Sequence, residues 1–429
     1  MTQQALRRLL LAEPWTGWAD GVGVCHACSI PQRGAGAAIC GTARPGRRLL
    51  PGTLTAEPTG RSMGAHNAPD RPCPEVWPSP TEPEPHQEPA MRLPHPIRLC
   101  LMGWLLLAGG LAAAQPADKA AVERLQRAQD AVVQITAQAI DESSSSSTLG
   151  RLRMGSGVVI GPDDLILTIG YLILEAERIE IRTRDGRTFP ARSVAYDQAS
   201  GLGLVRPLIP LRTVQPVAVA ATRPTDRGQP HLVVRGETAG TVTPARLVDV
   251  RPFTGYWEYH LQEALYTSPP FGNHSGAGLF NLEGELVGIG SLYMPDILPD
   301  NDPNRLPGNL FVPSALLPPI LAEMLATGSS AQSRRAWLGV NAVERNGRIQ
   351  LTRITPDSPA DKGGLQPGDW VLALAGTRPA SLADFYQRLW ATPLESGRIK
   401  LTVLRGSQPR VVELEVRDRG RSLLTPKGI

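Results

Sequence analysis

The rhythm of apolar and polar positions changes three times along this chain. Residues 1 to 90, rich in Pro, Gly and Arg, hold no sustained period of 2 or 3.6, so no packed domain is expected there. A short basic stretch from Met91-Arg92 to Arg98 then leads into the apolar run Leu99 to Leu111 and the small residues Ala112-Ala113-Ala114. That layout predicts a secretory signal peptide over 91–114 with cleavage before Gln115, because the run is shorter than the roughly 20 apolar residues of a spanning helix. A signal does not work so far from a chain start, so Met91 reads as the initiator and 1–90 as translated upstream sequence. A genuine long leader, and an uncleaved inner-membrane anchor at 99–111, are the alternatives.

Beyond Gln115 the spacing is helical through Val122, Leu125 and Ala128 and then becomes that of strands. Ala131 to Ile135, Gly157 to Ile160, Leu165 to Thr168, Arg178 to Arg182, Ala191 to Ala195 and Leu202 to Val205 are short apolar-rich runs with turn signals such as Asp185-Gly186 between them. Many short strands at this spacing predict a sandwich or barrel over 115–328. Ser143 to Ser147 reads as a flexible loop, Pro313 to Ala326 as a closing helix, and 329–335 as a polar linker. A smaller unit of mixed strands and helices fills 336–417, and 418–429 is left as a tail.

Composition removes some function classes. A net charge of +4 over 429 residues, with no Lys/Arg block or basic-aromatic stripe, gives no reason to expect nucleic acid. All five cysteines, Cys25, Cys28, Cys40, Cys73 and Cys100, precede the barrel region, so nothing beyond them forms a disulfide. Cys25-His26-Ala27-Cys28 lacks a second close-spaced pair, and neither a metal nor another cofactor is expected.

The candidate chemistry lies in Asn273-His274-Ser275-Gly276-Ala277-Gly278-Leu279, which reads like the nucleophile loop of a serine protease. A serine hydroxyl needs a hydrogen-bonded base and a carboxylate that orients the base. After the signal the only histidines are His231, His260 and His274, and no lysine lies between Lys119 and Lys362. His274 adjoins Ser275, but neighbouring side chains on extended backbone diverge.

Gly155-Ser156-Gly157-Val158-Val159-Ile160, Leu165-Ile166-Leu167-Thr168, Asp185 to Ala191, the serine loop and Asn309-Leu310-Phe311-Val312-Pro313-Ser314 together resemble the HtrA family. The resemblance implies a mostly β chain, a trypsin-like double β-barrel followed by an α+β PDZ domain. It places Tyr171 at the family's histidine position and Gly201 at its aspartate position, leaving Ser275 a nominal nucleophile and Asn273, His274 and Ser275 a drifted oxyanion loop. A phenol, with an ordinary pKa of about 10, is a poor base near neutrality and glycine offers no carboxylate. Trp337-Leu338-Gly339-Val340 resembles the carboxylate-binding loop of PDZ domains, where loop N–H groups capture a peptide terminus. The implied role is an exported pseudoprotease in envelope quality control. Its implied partners are C-terminal peptides or unfolded proteins, and homo- or hetero-oligomers with HtrA-type proteases. An active serine endopeptidase with an unconventional base, and a structural partner of active HtrA-type proteases, are the alternatives.

Overall fold

The computed structural model describes residues 116–425, apart from 162 and 238–240. The signal peptide expected at 91–114, the Met91 start and all five cysteines lie outside the described residues. After a helix at Pro116–Asp130, six strands close into a first barrel: β1 (Val132–Ala139), β2 (Leu152–Val159), β3 (Ile166–Ile169), β4 (Ala176–Arg182), β5 (Thr188–Tyr196) and β6 (Leu202–Pro207). Their order around the barrel is β1-β2-β3-β6-β5-β4. Alternate residues of β1 are buried, and Ile135, Ile166, Leu167, Ile181, Leu202 and Leu204 are fully buried in the core. Closure leaves no free sheet edge.

A second barrel repeats the plan with β7 (Pro230–Val234), β8 (Val242–Gly255), β9 (Tyr259–Ser268), β10 (Gly278–Phe280), β11 (Leu286–Met294) and β12 (Gly308–Pro313), ordered β10-β11-β12-β9-β8-β7. Leu265, Leu279, Phe280 and Phe311 are fully buried within it. A smaller unit follows. β13 (Ala336–Trp337) pairs with β19 (Arg417–Asp418), and β14 (Val340–Arg345), β15 (Arg348–Ile354), β16 (Trp370–Leu374), β17 (Arg398–Arg405) and β18 (Gln408–Glu415) form one antiparallel sheet in chain order. A helix at Leu382–Trp390, capped by the Ser381 hydroxyl, lays Phe385, Tyr386 and Leu389 on that sheet.

Three local expectations are corrected. The serine run is not a free loop: Ser146–Leu149 forms a helical turn, and Ser143 and Ser145 are buried. The closing helix is broken, with Pro313 ending β12 and the helix confined to Leu321–Thr327. Pro318-Pro319 is the reason, since each lacks an N–H and disfavours helical geometry in the residue before it. The segment 329–335 is no loose linker either. The Ser330 N–H and Ser333 hydroxyl donate to Asp197 Oδ1 at 3.0 and 2.5 Å, while the Ser200 N–H and hydroxyl donate to Oδ2 at 2.9 and 2.7 Å.

Asp197 is 1% exposed, and burial alone would raise its pKa; the hydrogen bonds from Ser330, Ser333 and Ser200 outweigh that and hold it below the ordinary carboxylate range. Its folded pKa is depressed, so its stabilisation is present above the unfolded value of about 3.9 and is lost as pH falls through the folded value. Asp197→Asn is therefore expected to cost about 1–3 kcal/mol at neutral pH, with a smaller difference from wild type below about pH 3. Paired thermal denaturation at the two pH values checks this, and an equal gap at both would contradict it.

Candidate functional site

The serine loop is held by backbone on both sides. The Ser156 N–H of β2 donates to the Ser275 carbonyl at 2.8 Å, and the Gly276 N–H donates to the Gly290 carbonyl of β11 at 2.8 Å. Gly276 has φ +75°, and a Cβ there would run into the Ser156 carbonyl, so only glycine fits. Asn273 also takes a left-handed conformation, φ +51°, and its side chain donates to Glu237 Oε1 at 2.5 Å. Asparagine tolerates that region better than most residues, which is how the drifted loop keeps a tight turn.

Tyr171 sits on the single helical turn Gly170–Ile173 that directly follows β3. Its hydroxyl lies 2.7 Å from Ser275 Oγ and 2.7 Å from the Ser291 carbonyl of β11. A phenol has one proton, so when that proton goes to the Ser291 carbonyl, the serine hydroxyl donates to the phenol. Burial pushes the phenol up to about 12, outweighing the Ser275 hydrogen bond that lowers it, so the group stays protonated through the neutral range. The turn carrying it is fastened by the buried Arg153, whose guanidinium donates to the Tyr171 and Leu174 carbonyls at 3.0 and 2.6 Å and to Ser145 Oγ at 2.8 Å.

Gly201, which the family resemblance sets at the aspartate position, has φ +80°, and a Cβ there would stand 2.7 Å from the Tyr259 hydroxyl. Tyr259, buried on β9, donates to the Ser200 carbonyl at 2.6 Å, so an aromatic side chain of the second barrel fills the space a carboxylate would need. The nearby Asp197 is no replacement, since both of its oxygens are committed to Ser200, Ser330 and Ser333. Among the described residues none of the three imidazoles hydrogen-bonds Ser275. His231 Nδ1 faces the Gln229 carbonyl, His260 Nδ1 faces Thr254 Oγ1, and His274 Nδ1 is buried without a partner. Burial lowers the pKa of all three. No cluster of His, Cys, Asp or Glu among the described residues could hold a metal ion.

The second candidate site is the loop Trp337 to Val340. Leu338, Gly339 and Val340 aim their N–H groups into one place, but Trp337 is not among the donors: it pairs with Arg417 instead. The acceptor is the Glu258 carboxylate, reached at 3.2 Å from Leu338 and at 2.7 and 2.9 Å from Gly339 and Val340. Burial raises the pKa of this carboxyl, against the lowering by the three N–H groups and by Arg419. Sequence reasoning missed Ser291, Arg153, Tyr259 and Glu258, because each acts through a contact with a distant segment. The one local clue was Glu258 in the short Gly255-to-Tyr259 connection.

Two family models match the chain, a trypsin-like peptidase domain over residues 155–289 and a PDZ domain over 336–416. Among curated relatives, a probable periplasmic serine endoprotease DegP-like protein of Pseudomonas fluorescens is 29% identical over 310 residues, covering 64% of this chain and 60% of the relative. A probable periplasmic serine protease do/HhoA-like protein of Haemophilus influenzae is 28% identical over 294 residues, with the same coverage. The chain thus spans about 60% of the length of these relatives. The solved serine endoprotease of Yersinia pestis covers 70% of this chain and 97% of its own, at 22% identity and a TM-score of 0.44. With the two matched domains in this order, the chain is an HtrA/DegP homologue, a trypsin-like peptidase domain followed by a PDZ domain.

Proposed function

We propose that this chain is an exported HtrA-like pseudoprotease, a peptidase fold that no longer cuts and that serves, with its PDZ domain, as a peptide-binding scaffold or regulator in periplasmic protein quality control. The observation that carries the reading is the Tyr171 hydroxyl 2.7 Å from Ser275 Oγ, where a base would have to stand. A nucleophilic serine needs a group that takes its proton as the bond to carbon forms. A phenol pushed up to about 12 already holds its own proton and is a weak acceptor near neutrality. The contact caps the serine instead of activating it. Tyr259 against Gly201 supports the same reading, since it denies the first barrel the carboxylate that would orient an imidazole. Export and the periplasm are proposed because the curated relatives named above bear periplasmic names, and quality control comes from the HtrA resemblance.

Wild-type protein is expected to hydrolyse unfolded casein no faster than Ser275→Ala and to resist a fluorophosphonate probe, with an active HtrA-type protease as positive control. Labelling should stay flat between about pH 6 and pH 10, since the buried phenol does not ionise there. Hydrolysis that disappears with Ser275→Ala would overturn the proposal in favour of an active endopeptidase.

Restoring the triad tests the residue assignments. Tyr171→His with Gly201→Asp is expected to give no activity, because the new Cβ at 201 meets the Tyr259 hydroxyl and residue 201 must keep its left-handed backbone. Adding Tyr259→Ala makes room for the carboxylate. Asn273→Gly with His274→Asn addresses the oxyanion loop, where each missing donor forfeits about 3–4 kcal/mol of transition-state stabilisation. Casein turnover in the combined variant, abolished by Ser275→Ala, is the expected outcome. Equal turnover with and without Tyr259→Ala would show that Tyr259 does not block the site.

A further inference from the structure

β8 and β9 are joined by three residues, Tyr256-Trp257-Glu258, with Gly255 paired to Tyr259 across the hairpin mouth. Glu258 closes the loop in a left-handed conformation, φ +56°, a place where hairpins of this length ordinarily put glycine or asparagine. A glutamate that is only 1% exposed is costly there unless its charge is received elsewhere. The PDZ loop receives it through the three N–H groups of Leu338, Gly339 and Val340.

The contact extends along the groove between β14 and the helix Leu382–Trp390. The Tyr256 carbonyl, two residues before Glu258, accepts from the Ala342 N–H of β14 at 2.8 Å and from the Tyr386 hydroxyl of that helix at 3.1 Å. A carboxylate on the loop amides, with a main-chain carbonyl two residues earlier on the neighbouring strand, is the pattern by which a peptide C-terminus adds to a PDZ domain. Here a side-chain carboxylate takes the part of the terminal one. Trp257 stays with the second barrel, stacked on Tyr259 at 5.6 Å between ring centroids.

We infer that the PDZ groove is occupied by an internal ligand, the Tyr256–Glu258 turn of the second barrel, so that a peptide with a free C-terminal carboxylate binds only by displacing Glu258 from the loop. The inference rests on the peptide-binding reading proposed above only in its second half; the occupancy stands on its own. Two consequences separate this chain from an open receptor. The barrel holds the PDZ unit through the very amides that recognise a partner, and any peptide competes with a tethered carboxylate whose effective concentration is on the order of millimolar. The partner class follows: C-terminal segments whose apolar last residues supply more contact than the turn they replace.

The test uses the full chain and two readouts. Hydrogen exchange measured by mass spectrometry over Ala336–Arg345 reports the occupancy. Fluorescence anisotropy reports binding, with a pool of fluorescein-labelled decapeptides ending in free Val, Leu, Ala or Phe and the same pool amidated as control. In wild type the loop segment should exchange slowly and the pool should bind weakly. Glu258→Ala should speed exchange in that segment while β17 is unchanged, and should raise affinity for the free-acid pool alone by about tenfold or more, as removal of a tethered competitor requires. Glu258→Gln should fall between the two. Identical exchange in wild type and Glu258→Ala, or measurable free-acid binding of equal affinity in both, would overturn the inference. Faster exchange with no peptide bound by either would support the occupancy and sink the peptide-binding reading. If Glu258→Ala does not fold, Tyr386→Phe removes one bond to the Tyr256 carbonyl at little cost in packing, and unchanged exchange and binding in that variant would count against the proposal.

Discussion

Two adjacent side chains on one hairpin tie the described parts of this protein together. Glu258 and Tyr259 leave the β8–β9 turn in different directions, one into the amides of the PDZ loop and the other against Gly201 and the Ser200 carbonyl of the first barrel. Both groups are buried, and both are polar, so each is tolerated only because its partner is in place. A shift of the turn would orphan a carboxylate on one side and a phenol on the other. That constraint couples three sheets through two consecutive residues at one hairpin end.

The same economy explains the site between the barrels. A peptidase fold of this kind places its nucleophile on the second barrel and its base and acid on the first, so activity depends on groups that meet only across the cleft. In this chain the cleft is closed with tyrosines. Tyr171 reaches from the first barrel to Ser275 and the Ser291 carbonyl, and Tyr259 reaches from the second to the Ser200 carbonyl and Gly201. Phenols are suited to this because each supplies one proton to a main-chain carbonyl and a large apolar ring to the packing around it. Both phenols thereby join the two barrels through hydrogen bonds that are already made in the resting protein.

The connection at 329–335 belongs to this picture. Ser330 and Ser333 bind Asp197, and Arg335 stacks over the Trp390 ring at 3.4 Å, so the path from barrel to PDZ unit is bonded at both ends. With Glu258 in the loop, the PDZ unit is held by its entry segment and by its recognition groove at once.

The barrels and the PDZ unit were legible in the sequence, because short apolar runs, turn chemistry and the motifs between them are local facts. The strands at Leu165–Thr168 and Leu202–Val205 follow from short apolar runs bounded by turn signals, and both are buried on both faces. Where local reading failed, a distant partner decided: the serine run folds because Ser145 meets Arg153 and Glu175, and the linker is fixed because Asp197 waits across the first barrel. Nothing in the string Gly255-Tyr256-Trp257-Glu258-Tyr259 reveals that its glutamate ends on the amides of residues 338–340 or that its last tyrosine fills the space beside Gly201. The sequence determined which side chains stand at 171, 201 and 275; only the tertiary structure decided what each of them meets, since burial and pairing belong to the folded chain and not to any segment of it.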